Sequence, residues 1–158
     1  MRTLLRESVI PAPAAAVWAF HARPGAFERL CPPWQGVKVE RAEGAFAELR
    51  VTPARATWIA QHEGYVEGRS FRDRQVRGPF GSWVHTHEVA PLGPDRCVLR
   101  DRVEYEPPGG QVGAVVLGRK IARDLETVFA FRHRRTAHDV LRHAPWAGRP
   151  PLRIVVAG

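Results

Sequence analysis

Two histidines in the segment Ser82–Val89 are spaced so that they can act together. Side chains two residues apart share a face of an extended strand, so Trp83, His85 and His87 are predicted to lie side by side. Imidazole is an acid, a base or a metal ligand near neutral pH. The spacing therefore predicts an ionisable patch on one face of a strand.

Carboxylates are predicted on the same face of two other strands. In both segments, arginines alternate with less polar residues, and because arginines prefer water the alternate positions must point inward. The inward positions are Phe71, Asp73, Gln75, Leu99, Asp101, Val103 and Tyr105. Asp73 and Asp101 are thus expected to share the buried face with the histidines.

Further residues are candidates for lining a cavity beside this patch. Trp58 and His62 share one face of the strand predicted after Pro53, and Trp34 follows Pro32–Pro33 where it can line a cavity mouth. The last helix supplies Leu125, Val128 and Phe129. Together with Phe71, Asp73, Gln75, Trp83, His85, His87, Asp101 and Tyr105, these residues form the predicted ligand-binding set.

Three uses of the polar patch remain open. Asp–His or Asp–Arg pairs can join neighbouring strands, since a buried polar group left unpaired costs about 1–3 kcal/mol. The patch can instead orient a molecule at the polar end of an apolar cavity. An Asp beside a His can also act as a general base for an aldol cyclisation or dehydration.

Specific catalytic and metal patterns are weak. The sequence has no nucleophile elbow, P-loop or paired-carboxylate spacing. His85 and His87 could bind one metal ion together with Asp73, Asp101 or His62. The sequence does not specify which of these residues would be the third ligand, so the evidence for a metal site is weak. We therefore predict no metal and no cofactor, and binding rather than catalysis.

The order of elements positions these residues. The sequence predicts a strand at Thr3–Ile10, helices at Ala14–Ala22 and Gly25–Cys31, and a long helix at Val115–His143. The strands predicted between them are Val37–Arg41, Ala45–Val51, Ala56–Val66, Ser70–Arg77, Ser82–Val89 and Cys97–Tyr105. Short connections rich in Gly and Pro make this an antiparallel meander.

The predicted architecture is α+β: a seven-stranded curved antiparallel sheet wrapped around a long C-terminal helix, with two short helices after the first strand. Leu117, Ile121, Leu125 and Val128 give that helix one apolar face. A twisted sheet curls, and only this helix is long enough to fill its concave side. Such packing is expected to leave a cavity for a small apolar ligand.

Charge and composition exclude several classes of function. The formal net charge is +8, yet the cations are scattered among acids, so an arginine-rich surface is favoured over nucleic-acid binding. The densest run, Arg132–Arg135, is predicted to be a solvated helix end. No apolar run approaches the ~20 residues of a membrane span. No signal peptide is apparent, and the two cysteines suit a reducing cytosol, so the predicted location is cytoplasmic.

The C-terminal segment reads as separate from this domain. Residues 1–144 are predicted to form the domain, and residues 145–158 a linker and short apolar tail. Leu152–Gly158 has no partner strand within the domain. An unpaired strand can add to a sheet edge, so the tail is a candidate contact for a homodimer.

Several stretches resemble the START-like superfamily, also called the SRPBCC or helix-grip superfamily, and within it the polyketide cyclase/dehydrase-like branch. They are SVIPAPAAAVWAFHARPGAFERLCPPW, GPFGSWVHTHEV, LRDRVEYEPPGG and LETVFAFRHRRTAHDVL. The resemblance extends over about Arg2–Ala144. The PPW and WVHTH motifs are similar to a subgroup placed before an NAD-dependent epimerase-like domain. Leu152–Gly158 then resembles the first strand of that second domain, and the sequence ends before its glycine-rich loop.

The resemblance implies binding of a hydrophobic small molecule, such as a lipid, isoprenoid or polyketide-like compound. It also implies an epimerase-like oxidoreductase as a partner. The alternatives are a cyclase/dehydratase-like enzyme that uses the inward Asp and His residues, and a docking module for the oxidoreductase. Because one fold hosts many activities, the family implies a ligand-binding expectation rather than a reaction.

Overall fold

A computed structural model describes residues 1–43, 46–51 and 56–150. The strands are β1 Arg2–Ile10, β2 Val37–Glu43, β3 Phe46–Val51, β4 Ala56–Val66, β5 Ser70–Arg77, β6 Ser82–Pro91 and β7 Cys97–Glu106. The helices are α1 Ala14–Ala22, α2 Ala26–Leu30, α3 Gly110–Val116 and α4 Gly118–His143, and a 3-10 turn follows at Ala144–Trp146. The predicted tail, Leu152–Gly158, lies outside the described residues.

The sheet is antiparallel throughout, in the order β1-β7-β6-β5-β4-β3-β2. Consecutive strands β2 to β7 pair in chain order, since few residues separate them in the sequence, and β1 pairs with β7 at the edge of the sheet. The predicted α+β class, antiparallel sheet and long C-terminal helix are confirmed.

The strand register brings the polar residues of the inner face together. His62 pairs with Asp73 across β4 and β5, and Asp73 in turn pairs with His85 on β6. His87 pairs with Asp101 on β7. Directly paired side chains on one face lie in contact distance, so the register itself builds a polar patch across four strands.

Helix α4 packs against β1, α1 and α2. Its buried residues Leu125, Val128 and Phe129 join Trp83 and Tyr105 in one apolar cluster. A second apolar cluster joins α1 to β1, β6, β7 and the end of α4. These clusters hold the helix against the β1, β6 and β7 side of the sheet.

The predicted helix Val115–His143 is wrong at its start. The structure has two helices that meet at Leu117, because the Arg2 guanidinium donates to the Ala114 carbonyl at 3.1 Å. An unbroken helix would use that carbonyl for the amide of Gly118. A Cβ at Gly118 would lie 2.5 Å from the Arg2 guanidinium, so a larger residue there would displace this side chain from its present position.

Among the described residues, no helix is long and apolar enough to cross a membrane.

Candidate functional site

The inner face of β6 carries a buried row of ionisable side chains. Burial alternates strictly along this strand, with Trp83, His85 and His87 buried between partly exposed neighbours. Asp101 on β7 is only 2% exposed. The sequence alternation thus placed these residues on the correct face.

Asp101 is the centre of the cluster. One carboxylate oxygen accepts a hydrogen bond from His85 Nε2 at 3.0 Å, and the other accepts one from His133 Nε2 at 2.8 Å. His87 Nδ1 lies 2.7 Å from the first oxygen, in ion-pair contact without hydrogen-bond alignment. One buried carboxylate therefore orients three imidazoles.

Asp73 occupies the other side of the two β6 histidines. Its Oδ2 lies 3.4 Å from His87 Nε2 and 3.9 Å from His85 Nδ1. Its Oδ1 is in ion-pair contact with His62 Nδ1. The Asp73 side chain is 18% exposed and that of His62 is 48% exposed, so this end of the cluster reaches solvent.

The two β6 histidines have opposite electrostatic environments. Burial and the nearby His87 lower the pKa of His85 to about 4, despite the hydrogen bond to Asp101. Burial also disfavours the charged form of His87, but Asp101 and Asp73 outweigh it and raise its pKa to about 9. At neutral pH His85 is therefore neutral and His87 is a cation.

The carboxylates stay ionised although they are buried. Burial opposes ionisation of Asp101, but His87, His133 and His85 hold its pKa well below the usual range. Burial likewise opposes ionisation of Asp73, but contact with His62 and His87 holds its pKa low. The side-chain hydrogen bond with Asp73 raises the pKa of His62.

Aromatic rings surround the polar cluster. Phe71 stacks on His87 with ring centroids 4.3 Å apart, and Phe129 of α4 meets His85 edge-on at 4.8 Å. Trp58 contacts Trp83 edge-on at 5.0 Å and Phe80 at 5.6 Å. The Trp58 ring thus lies on the inner face, which settles the direction that the sequence left open for β4.

The structure also shows where the other residues of the predicted ligand-binding set lie. Gln75 donates from Nε2 to the Phe80 carbonyl at 2.8 Å, so it closes the β5–β6 hairpin. Trp34 is 59% exposed and packs edge-on against Phe131 of α4. Tyr105, Leu125 and Val128 are buried in the apolar cluster with Trp83.

The prediction that Arg132–Arg135 is a solvated run is wrong for His133. This side chain is 2% exposed, binds Asp101 and accepts from the Ser8 hydroxyl at 2.9 Å. His133 lies four residues after Phe129 and seven before Val140, within the apolar stripe of the helix. That helical spacing was the signal by which it could have been found.

A bidentate ion pair joins α2 to α4. Arg29 donates to the two carboxylate oxygens of Asp139 at 2.6 and 3.0 Å, and Asp139 is buried. Its pKa is lowered mainly by that contact. This pair was not predicted, because nothing in the spacing of residues 29 and 139 indicates their proximity.

Two clefts on the described surface lie away from this cluster. One, of about 400 Å³, runs between α1 and the C-terminal end of α4, past Phe20, Val140 and Trp146. The other, of about 410 Å³, lies over Arg69, Thr86 and Glu88. None of the predicted ligand-binding residues lines either cleft.

An antiparallel sheet packed with one long C-terminal helix, with a polar cluster on its inner face, defines a protein of the helix-grip class. The chain belongs to the polyketide cyclase/dehydrase and lipid transport family, whose sequence profile matches residues 10–131. No curated protein matches this chain.

Solved structures share the fold at low identity. The ZhuI aromatase/cyclase from Streptomyces sp. R1128 is 19% identical, with a TM-score of 0.65 over 93% of this chain and 98% of that one. Norcoclaurine synthase from Thalictrum flavum, solved with dopamine and hydroxybenzaldehyde, is 16% identical. Its TM-score is 0.67 over 90% of this chain and 87% of that one.

A third structure, the nucleoside-diphosphate sugar epimerase from Corynebacterium glutamicum, is 24% identical, with a TM-score of 0.64. The match covers 87% of this chain but 29% of the epimerase chain. At these identities the similarity shows the fold alone.

Proposed function

We propose that the chain binds a hydrophobic, flat small molecule over the inner face of β4 and β5, with a polar group of the molecule at Asp73 and His62. The observation that carries this proposal is the partial exposure of aromatic and ionisable side chains on the inner face of β4 and β5, beside the buried Asp101, His85 and His133. Trp58, His62, Phe71 and Asp73 all face inward, yet each remains partly accessible.

The position of α4 supports this site. Among the described strands, α4 packs chiefly against β1. This strand is at one edge of the sheet, and β7, β6 and β5 separate it from β4. The inner face of β4 and β5 is therefore less closely covered than that of β6 and β7. Aromatic walls with a few placed polar groups are typical of small-molecule sites.

An unpaired donor supports a ligand with an acceptor group. The buried Nε1 of Trp58 has no hydrogen-bond partner among the described residues. A buried donor left without a partner costs about 1–3 kcal/mol, and an oxygen of a bound molecule would relieve that cost. Together with Asp73 and His62, Trp58 favours a phenolic or carbonyl-bearing compound over a plain hydrocarbon.

The family and its solved relatives support the same class of ligand. The family description includes lipid transport, and one relative is an aromatase/cyclase. Another was solved with dopamine and hydroxybenzaldehyde, which are small aromatic compounds with polar groups. We infer the ligand class from this agreement, and lipids and isoprenoids remain within it.

One observation favours acid–base catalysis as a second function. Asp73 lies between the half-exposed His62 and the buried His85 and His87, so the contacts run from solvent to the interior. A cyclase- or dehydratase-like reaction needs a positioned base and a route for its proton. Turnover that Asp73→Asn abolishes without unfolding the protein would establish it.

The epimerase match supports a role beside a larger enzyme. Its similar part is a piece of a longer chain, which agrees with our proposal of an epimerase-like oxidoreductase as partner. The division at residue 144, a homodimer through Leu152–Gly158 and a cytoplasmic location remain predictions.

Filling the proposed site is expected to abolish ligand binding. Ala60 lies between Trp58 and His62 on the inner face, so Ala60→Phe would place a ring in the space for the ligand. We expect wild-type protein to bind the fluorescent probe anilinonaphthalene sulfonate saturably. The variant should bind at least about tenfold more weakly, a loss of about 1.4 kcal/mol.

The matched control is Ile59→Phe, which adds a ring on the opposite face of the same strand. Circular dichroism and thermal melts would verify that both variants fold. Equal binding by both variants and the wild type, or no saturable binding by the wild type, would contradict the proposal.

A further inference from the structure

Both β6 histidines point one ring nitrogen at each of two aspartates. His85 directs Nε2 to Asp101 and Nδ1 toward Asp73. His87 directs Nδ1 to Asp101 and Nε2 toward Asp73. In the metal-bound state the nitrogens that face Asp101 keep their protons, and His87, a cation in the metal-free protein at neutral pH, releases its Nε2 proton to solvent. The two nitrogens that face Asp73 then present lone pairs to one shared point.

The distances at that point fit metal ligands better than hydrogen bonds. His85 Nδ1 and His87 Nε2 lie 3.9 and 3.4 Å from Asp73 Oδ2, and one ligand atom from each of the three residues lies within 4.8 Å of the others. Hydrogen bonds of this type are about 2.7–3.2 Å long. Ligand atoms of a tetrahedral zinc site, with bonds of about 2.0–2.1 Å, lie about 3.3 Å apart.

The surrounding contacts have the form of an outer ligand shell. Metal-bound histidines commonly donate their other ring N–H to a carboxylate, which fixes the ring and its tautomer. Asp101 accepts such a hydrogen bond from His85 Nε2, and its Oδ1 lies 2.7 Å from His87 Nδ1 in ion-pair contact. Asp101 is itself held by His133 and through it by Ser8. His62 contacts Asp73 Oδ1, which leaves Oδ2 free to bind.

We propose that Asp73 Oδ2, His85 Nδ1 and His87 Nε2 bind a divalent transition-metal ion, with Zn²⁺ as the probe of choice. Imidazole and carboxylate donors suit such ions. Three protein ligands leave a fourth position for water or substrate, and the Asp73 side chain is 18% exposed, so the site is not closed to solvent. The inference goes beyond the proposed function, because the metal geometry does not depend on a hydrophobic ligand.

The test is isothermal titration of the tag-free, chelator-treated full chain with Zn²⁺ alone. We expect one equivalent to bind the wild type. Asp73→Asn, which removes a direct ligand, should weaken binding by more than about tenfold, and His62→Ala, which releases the carboxylate, by about tenfold. The control His138→Ala removes an exposed histidine of α4 and should leave the affinity unchanged.

Substitution of Co²⁺ gives a readout that does not depend on any variant folding. A tetrahedral site in the wild-type protein should give intense visible absorption, which Zn²⁺ displaces. Absence of stoichiometric Zn²⁺ binding, or unchanged affinity in folded Asp73→Asn, would overturn the metal proposal. Probe binding to the chelator-treated protein is measured separately, so that failure of the metal site and failure of the ligand site give different results.

Discussion

Asp101→Asn is expected to destabilise the protein by about 3–5 kcal/mol, the usual cost of removing one partner of a buried charge pair. The carboxylate accepts from His85 and His133 and neutralises His87, and all four groups are buried. An asparagine of the same shape offers one acceptor oxygen and turns an NH₂ group toward an imidazole N–H. The His87 cation would also keep only Asp73 as a counter-ion.

Urea denaturation at neutral pH measures this effect. Asp95→Asn is the matched control, because Asp95 is exposed in the turn before β7 and its substitution should cost under about 0.5 kcal/mol. A loss below about 1 kcal/mol for Asp101→Asn would mean that this carboxylate does not organise the cluster.

The metal-free protein is expected to lose stability as the pH rises above neutral. His87 faces Asp101 on β7, Asp73 on β5, His85 on its own strand and His21 on α1. Its pKa of about 9 lies above the ordinary value of 6.5. The stabilisation is therefore complete below pH 6.5 and is lost as the pH passes through 9, and it amounts to about 3 kcal/mol.

His85 has the opposite dependence. Its pKa is lowered from 6.5 to about 4, so its contribution is complete above pH 6.5 and is lost as the pH falls toward 4. Urea denaturation across this range should give a maximum near pH 6.5. His87→Gln should flatten the alkaline limb. His85→Gln should make the acid limb shallower without removing it, because burial also lowers the pKa of His21 to about 4. A wild-type profile that is flat between pH 6.5 and 9 would contradict the assignment.

The β4–β5 hairpin shows what sequence patterns could predict. The bounds Ala56–Val66 and Ser70–Arg77 agree with the structure, since Gly68 forms the turn with a positive φ of 71°. Alternation with arginines correctly predicted that Asp73 faces inward. The contact of Asp73 with His62 depends on strand register, which the residue pattern of either strand alone does not specify.

The role of His133 shows what the pattern concealed. Three neighbouring arginines made the segment look solvated, although the histidine occupies the apolar stripe of α4. Its partner Ser8 is 125 residues away in the chain, and only the packing of α4 on β1 brings them together. The break between α3 and α4 was concealed for the same reason, because it depends on Arg2 from the opposite end of the chain.

The central claim is that a ligand lies over β4 and β5, with its polar group at the Asp–His cluster. The most direct measurement is a crystal structure of the protein saturated with anilinonaphthalene sulfonate. We predict the ring system against Trp58 and Phe71, with a polar atom within hydrogen-bond distance of Asp73 or His62. A probe bound instead in the cleft between α1 and the end of α4, beside Phe20 and Trp146, would contradict the claim.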